Sequence, residues 1–154
     1  MKFSSRTEMA LPVNASFAAF ADFSMFERAA MRNGVDVRRV DDLTQPGPGM
    51  IWEILATFRG KPRRVSARLV DYDAPYSLTY NCEVEGFHGD VKIGLESLNS
   101  RTTGVQFSCD LQARSLTSKM MLQSLRLAKG RVNDRLDKGF HRLCKRIEAR
   151  VLEG

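Results

Sequence analysis

The sequence predicts an α+β fold: a seven-stranded antiparallel sheet with two short helices after its first strand, covered by one long C-terminal helix. Three observations lead there. Seven stretches alternate apolar and polar residues with a period of two, as half-buried strands do. The later strands are joined by short turns, which implies antiparallel neighbours. From Leu116 to Leu152 the apolar residues Met121, Leu125, Ala128, Val132, Leu136, Phe140, Leu143, Ile147 and Val151 recur in steps of three and four, the mark of an amphipathic helix. Such a helix of about 37 residues would run roughly 55 Å. Gly130 and Gly139 interrupt it and are where bending is expected.

The first strand is Lys2 to Leu11, with Phe3, Ser5, Thr7, Met9 and Leu11 on one side. Pro12 closes it, and Asn14 is a candidate N-cap for a helix through Phe20. Ser24 and Glu27 have the spacing of a capping box opening a second helix, which ends at Asn33-Gly34. Phe17, Phe20, Phe23 and Phe26 give the two helices a shared aromatic side that should face the core.

Val35 to Val40 is a short strand, followed by an irregular loop from Asp41 to Gly49 rich in proline and glycine. Met50 to Arg59 places Met50, Trp52, Ile54, Ala56 and Phe58 on one face. Arg63 to Tyr72 places Val65, Ala67 and Leu69 inward, with Asp71 as a carboxylate of inward parity at its end. Tyr76 to Glu85 carries Tyr76, Leu78, Tyr80, Cys82 and Val84 on one face. Asp90 to Leu98 aligns Val91, Ile93 and Leu95, and Val105 to Arg114 aligns Val105, Phe107, Cys109, Leu111 and Ala113. Each strand then has one apolar face, which only the long helix is large enough to cover.

A chain of 154 residues suits one domain spanning residues 1–154. No apolar run approaches the roughly 20 residues of a membrane-spanning helix, and the first ten residues alternate instead of forming a secretory signal. A cytoplasmic location is the expectation. Cys82, Cys109 and Cys144 are odd in number and embedded in apolar patterns, so they read as buried thiols. Residues 1–115 hold 14 basic and 14 acidic residues, so the net charge of +6 comes entirely from the C-terminal helix, with 10 basic residues against four acidic. That helix could meet an anionic surface, whether membrane, RNA or acidic protein; the plainer reading is a solvated outer face.

The strand ending in Leu11-Pro12-Val13-Asn14 before a Phe-rich helix, Trp52 on the third strand and the long C-terminal helix together resemble the START-like helix-grip superfamily. Pollen-allergen-type proteins, polyketide cyclases and lipid-transfer proteins belong to it. The resemblance covers essentially the whole chain and rests on architecture. It implies a curved sheet wrapped around the C-terminal helix, with a cavity between them for an apolar ligand. It does not imply a reaction.

The residues agree on the lining of such a cavity: Trp52, Ile54, Phe58, Leu69, Leu78, Tyr80, Cys82, Ile93, Phe107, Cys109 and Leu111 from the sheet, and Leu125, Ala128, Val132 and Leu136 from the helix. Trp52 and Tyr80 carry polar tips that could orient a ligand. The loop Asp41 to Gly49 and the turns Gly60-Lys61-Pro62 and Gly86 to Gly89 would form the rim.

No catalytic constellation, cofactor motif or metal-ligand spacing stands out. His88 falls in the turn and His141 on the helix, and Gly47-Pro48-Gly49 lacks the lysine of a phosphate loop. The leading expectation is a carrier or sensor of a small hydrophobic molecule such as a lipid, quinone or polyketide. The alternatives are a cyclase or dehydratase using Tyr80, His88, His141 or Arg68, and an interaction protein using the basic helix.

Overall fold

The computed structural model describes every residue except Arg59, and of Phe58 the backbone alone. In chain order the described residues form β1 (Lys2–Met9), α1 (Val13–Phe20), α2 (Phe23–Arg32), β2 (Asp36–Arg39), β3 (Ile51–Phe58), β4 (Lys61–Asp73), β5 (Ser77–Val84), β6 (Phe87–Asn99), β7 (Thr102–Ala113), α3 (Leu116–Leu127) and α4 (Lys129–Leu152). The strands make one curved antiparallel sheet in the order β1-β7-β6-β5-β4-β3-β2. From β3 to β7 it is a meander, as the short turns require.

Five local expectations are corrected. The C-terminal helix is two helices: Ala128, at φ −105° and ψ 9°, stops α3 and starts α4. Its N–H bonds back three residues to Leu125 O at 3.0 Å, and Val132 N–H then begins a new ladder on Ala128 O at 2.9 Å. The break preserves the three-and-four spacing, so periodicity did not reveal it. Asn14 caps nothing, because α1 begins at Val13, and α2 is capped by Asp22, whose carboxylate accepts from Met25 N–H at 3.3 Å, with Ser24 already inside the helix. A bulge at Val70 shifts the β4–β5 register between Leu69 and Asp71. It turns Asp71 out and Tyr72 in, where the Tyr72 ring meets Phe17 edge-on at 5.2 Å. Tyr76 belongs to the preceding turn and is exposed.

Burial is uneven along the strands. Met9, Met50, Trp52, Leu69, Leu78, Leu95 and Val105 are buried together with Phe17, Phe20 and Phe23 of α1 and α2 and Phe140, Cys144 and Ile147 of α4. At the other end of the same strands Ile54, Val65, Cys82, Val91, Cys109 and Leu111 are only half-buried, and so are Val132 and Leu136 of α4. The sheet and helix thus close on each other at one end and part at the other. Packing is driven by the area of apolar surface available, and the two short helices supply it at one end only.

Side chains of α4 fasten it along β1. Asn133 Oδ1 accepts from Ser4 N–H at 3.0 Å, Asp137 Oδ1 from Ser5 Oγ at 2.6 Å, and Glu148 Oε2 from Ala10 N–H at 3.1 Å. The loop before β3 is held by one carboxylate. Asp41 takes two bonds from the Arg39 guanidinium, at 3.0 and 2.5 Å, and accepts from Leu43 N–H at 3.1 Å and Ile51 N–H at 2.9 Å. The Arg39 hydrogen bond, above all, holds the Asp41 carboxyl well below the usual range.

The expected rim is divided. The loop Asp41 to Gly49 lies at the closed end, where Gly49 N–H bonds Leu69 O at 2.8 Å. The turns at Gly60 and Gly86 lie at the open end with α3. Gly86 is required there: its φ is +86°, and a Cβ would stand 2.8 Å from Ser115 Oγ, the N-cap of α3.

Candidate ligand-binding site

Between the concave face and the helices lie two adjoining cavities. The smaller, about 260 Å³, is lined by Phe23, Phe26, Glu27 and Ala30 of α2 with Val37, Trp52, Ile54, Ala67 and Tyr80 of the sheet. The larger, about 490 Å³, lies under α4, against Leu78, Tyr80, Val91, Ile93 and Phe107, with Arg135, Leu136, Gly139, Phe140 and Leu143 from the helix. Phe26 and Tyr80 line both and so stand where the two meet. A third, about 310 Å³, lies at the open end between Ala56, Val65, Val84 and Phe87 and the α3 residue Met121.

The rings form a chain across the smaller cavity. Phe23 and Trp52 have centroids 5.4 Å apart, and Trp52 and Tyr80 6.1 Å, both tilted. These lie within the range of favourable aromatic pairs. In the larger cavity Phe140 sits 5.6 Å from Phe107 and 6.5 Å from Phe20. The lining is otherwise aliphatic, and its ionisable members among the described residues are Glu27, Tyr80 and Arg135. Burial raises the Tyr80 hydroxyl above its ordinary range, which keeps it protonated and available as a donor.

Of the residues expected from sequence, Trp52, Ile54, Leu78, Tyr80, Ile93, Phe107 and Leu136 line these two cavities. Leu69 is fully buried in the core at the closed end. Cys82, Cys109 and Leu111 share the concave face nearer the open end, gathered around Gly89. Leu125, Ala128 and Val132 are half-buried around the α3–α4 junction and, among the described residues, line neither cavity. The side chain of Phe58 lies outside the described residues. Sequence reasoning did not place Phe20, Phe23, Phe26, Glu27 and Ala30 of the short helices, Val37, Ala67 and Val91 of the sheet, or Arg135, Gly139, Phe140 and Leu143 of α4 in the lining. The step of three from Phe17 to Phe26 was the available signal for three of them.

The candidate catalytic groups are dispersed. His88 lies in β6, next in sequence to the concave Gly89, and therefore points to the convex face. There Nδ1 is 2.5 Å from Glu83 Oε1 and Nε2 2.8 Å from Asp90 Oδ1, and the Glu83 hydrogen bond, followed by the Asp90 one, raises its pKa. His141 lines neither cavity: it is half-buried on α4 one turn from Asp137, with Nδ1 2.7 Å from Asp137 O. Burial pushes the Cys82 thiol up to about 11 and Cys144 up to about 12, which keeps both protonated at neutral pH. Among the described residues no cluster of His, Cys, Asp or Glu is placed to hold a metal ion, and no helix is long and apolar enough to cross a membrane.

No protein-family model matches the chain, and no curated protein matches it significantly. Solved structures do match over nearly its whole length. The Zhui aromatase/cyclase from Streptomyces sp. R1128 superposes with a TM-score of 0.69 at 14% identity, covering 98% of this chain and 95% of that one. Norcoclaurine synthase from Thalictrum flavum, in complex with dopamine and hydroxybenzaldehyde, gives 0.70 at 11% identity, covering 99% and 87%. Ara h 8.0201 gives 0.64 at 17% identity, covering 100% and 99%. At these identities the likeness is one of fold, and that fold is the helix-grip, START-like one.

Proposed function

We propose that this helix-grip chain, acting as one domain, binds a small, largely apolar molecule between its sheet and α4, and carries or senses it. The observation that supports this is the pair of adjoining apolar cavities, about 260 and 490 Å³, meeting at Phe26 and Tyr80. The larger falls within the roughly 300–1,000 Å³ of small-molecule sites and the smaller just below it, and their few polar groups are separated, as orientation of a ligand requires. The driving force is desolvation of ligand and lining, on the order of 25 cal/mol per Å² of apolar surface, with the Tyr80 hydroxyl setting direction. Three free thiols, held protonated by burial, suit the cytoplasm.

Native mass spectrometry of the protein purified from its own host, with solvent extraction of what accompanies it, tests the reading. A stoichiometric apolar molecule is expected. A chain that carries none, and that takes up no neutral hydrophobic probe, would overturn it.

A second observation favours an anionic membrane as the place of exchange. Leu116, Met120 and Leu127 are 77, 65 and 92% exposed, and at about 100° per residue they fall within about 40° of one another on α3. Lys119 and Arg126 border this stripe on one side, and Lys129 and Arg131 follow it. An apolar stripe with a basic border is how a helix lies in a lipid interface. Here it stands at the open end of the clamp. Sedimentation with phosphatidylserine-containing vesicles is expected, and replacing Leu116, Met120 and Leu127 together by Glu should weaken it about tenfold or more. Undiminished binding of that variant would exclude α3 as the docking face.

A further inference from the structure

The smaller cavity has a composition that the apolar reading does not explain. Four of its nine lining residues are aromatic, Phe23, Phe26, Trp52 and Tyr80, and one, Glu27, is a carboxylate. Aromatic rings attract cations through the negative charge on their faces, and most strongly where water is excluded. A carboxylate beside them supplies a full counter-charge.

Glu27 takes part in none of the ion pairs among the described residues. The cation that feels its charge is Arg39. That guanidinium is already committed to Asp41 through bonds of 3.0 and 2.5 Å. Of the three, Glu27 is the one that lines the cavity, and its charge is left without a paired cation among the described residues.

We propose that this cavity receives a cationic amine, held by Phe23, Phe26, Trp52 and Tyr80 with Glu27 as its counter-ion. The inference rests on the reading that the clamp binds an apolar molecule, and it names the class: an amphiphile with an ammonium head and an apolar body. The body passes Phe26 and Tyr80 into the larger cavity. Arg135, the charged residue lining that cavity, repels the head and fixes the orientation.

The test is a titration followed through Trp52, the chain's single tryptophan, which lines the cavity. Three probes share one benzyl group: benzyltrimethylammonium, its uncharged carbon isostere neopentylbenzene, and phenylacetate. The cation is expected to bind about tenfold or more tighter than the isostere. In Glu27→Gln that preference should fall to within about twofold while the isostere binds as before, which also shows that the variant is folded. If the isostere or phenylacetate binds as well as the cation, or if Glu27→Gln keeps the preference, the inference fails and the apolar reading stands. If none of the three binds, both fail.

Discussion

Replacing Gly139 with tryptophan is expected to remove binding of a neutral hydrophobic probe under α4, raising its Kd about a hundredfold or more, with the fold intact. Gly139 lines the larger cavity from the helix side, and a Cβ built on it meets nothing within 4 Å. The indole therefore has open space ahead of it and occupies the volume a ligand would take. The backbone gains as well, since glycine inside a helix costs about 1 kcal/mol relative to alanine. Gly139→Ala is the control. It should stabilise the chain by about 0.5–1 kcal/mol in urea and leave probe binding unchanged. Wild-type affinity in the tryptophan variant would move the binding site elsewhere.

Phe140→Ala should have the largest effect on stability, a loss of about 3–5 kcal/mol. The ring is 6% exposed and joins three elements, standing 5.6 Å from Phe107 of β7 and 6.5 Å from Phe20 of α1. A typical domain has only about 5–15 kcal/mol in hand, so the variant would approach the limit of folding. Leu136→Ala, one turn earlier on the same helix and half-buried, should cost about 1–2 kcal/mol, since much of its surface is already unpacked. The comparison of urea midpoints at equal slope measures how steeply the clamp loosens along α4. Equal losses would mean that the helix is gripped evenly.

The strands and their facing were legible because alternation with a period of two survives every turn. It failed where one residue was added, at Val70, and parity beyond that point exchanged Asp71 for Tyr72. The break at Ala128 was hidden for the opposite reason: one residue out of helical geometry leaves the phase of the apolar residues intact. The competition between Asp22 and Ser24 to cap α2 turns on the dihedrals of a two-residue link, Ala21-Asp22, which composition does not encode.

The site was legible by halves. Trp52, Leu78, Tyr80, Ile93 and Phe107 follow from strand parity once the concave side is known. Glu27 and Arg135 do not, because a polar residue on a helix joins a cavity only through the angle at which that helix docks. The docking of α2 and α4 is set by Phe20, Phe23 and Phe140, and the charges follow those rings.

The fastening of α4 along β1 has a consequence for the chain's behaviour among other copies of itself. β1 is an outer strand of the sheet, and Asn133 and Glu148 occupy the N–H groups of Ser4 and Ala10 that a further strand would seek. The opposite border, β2, is four residues long and carries Arg38 and Arg39. α4 thus acts as a guard against aggregation as well as one jaw of the clamp, and a chain cut before Lys129 would leave β1 open as a template for polymer growth.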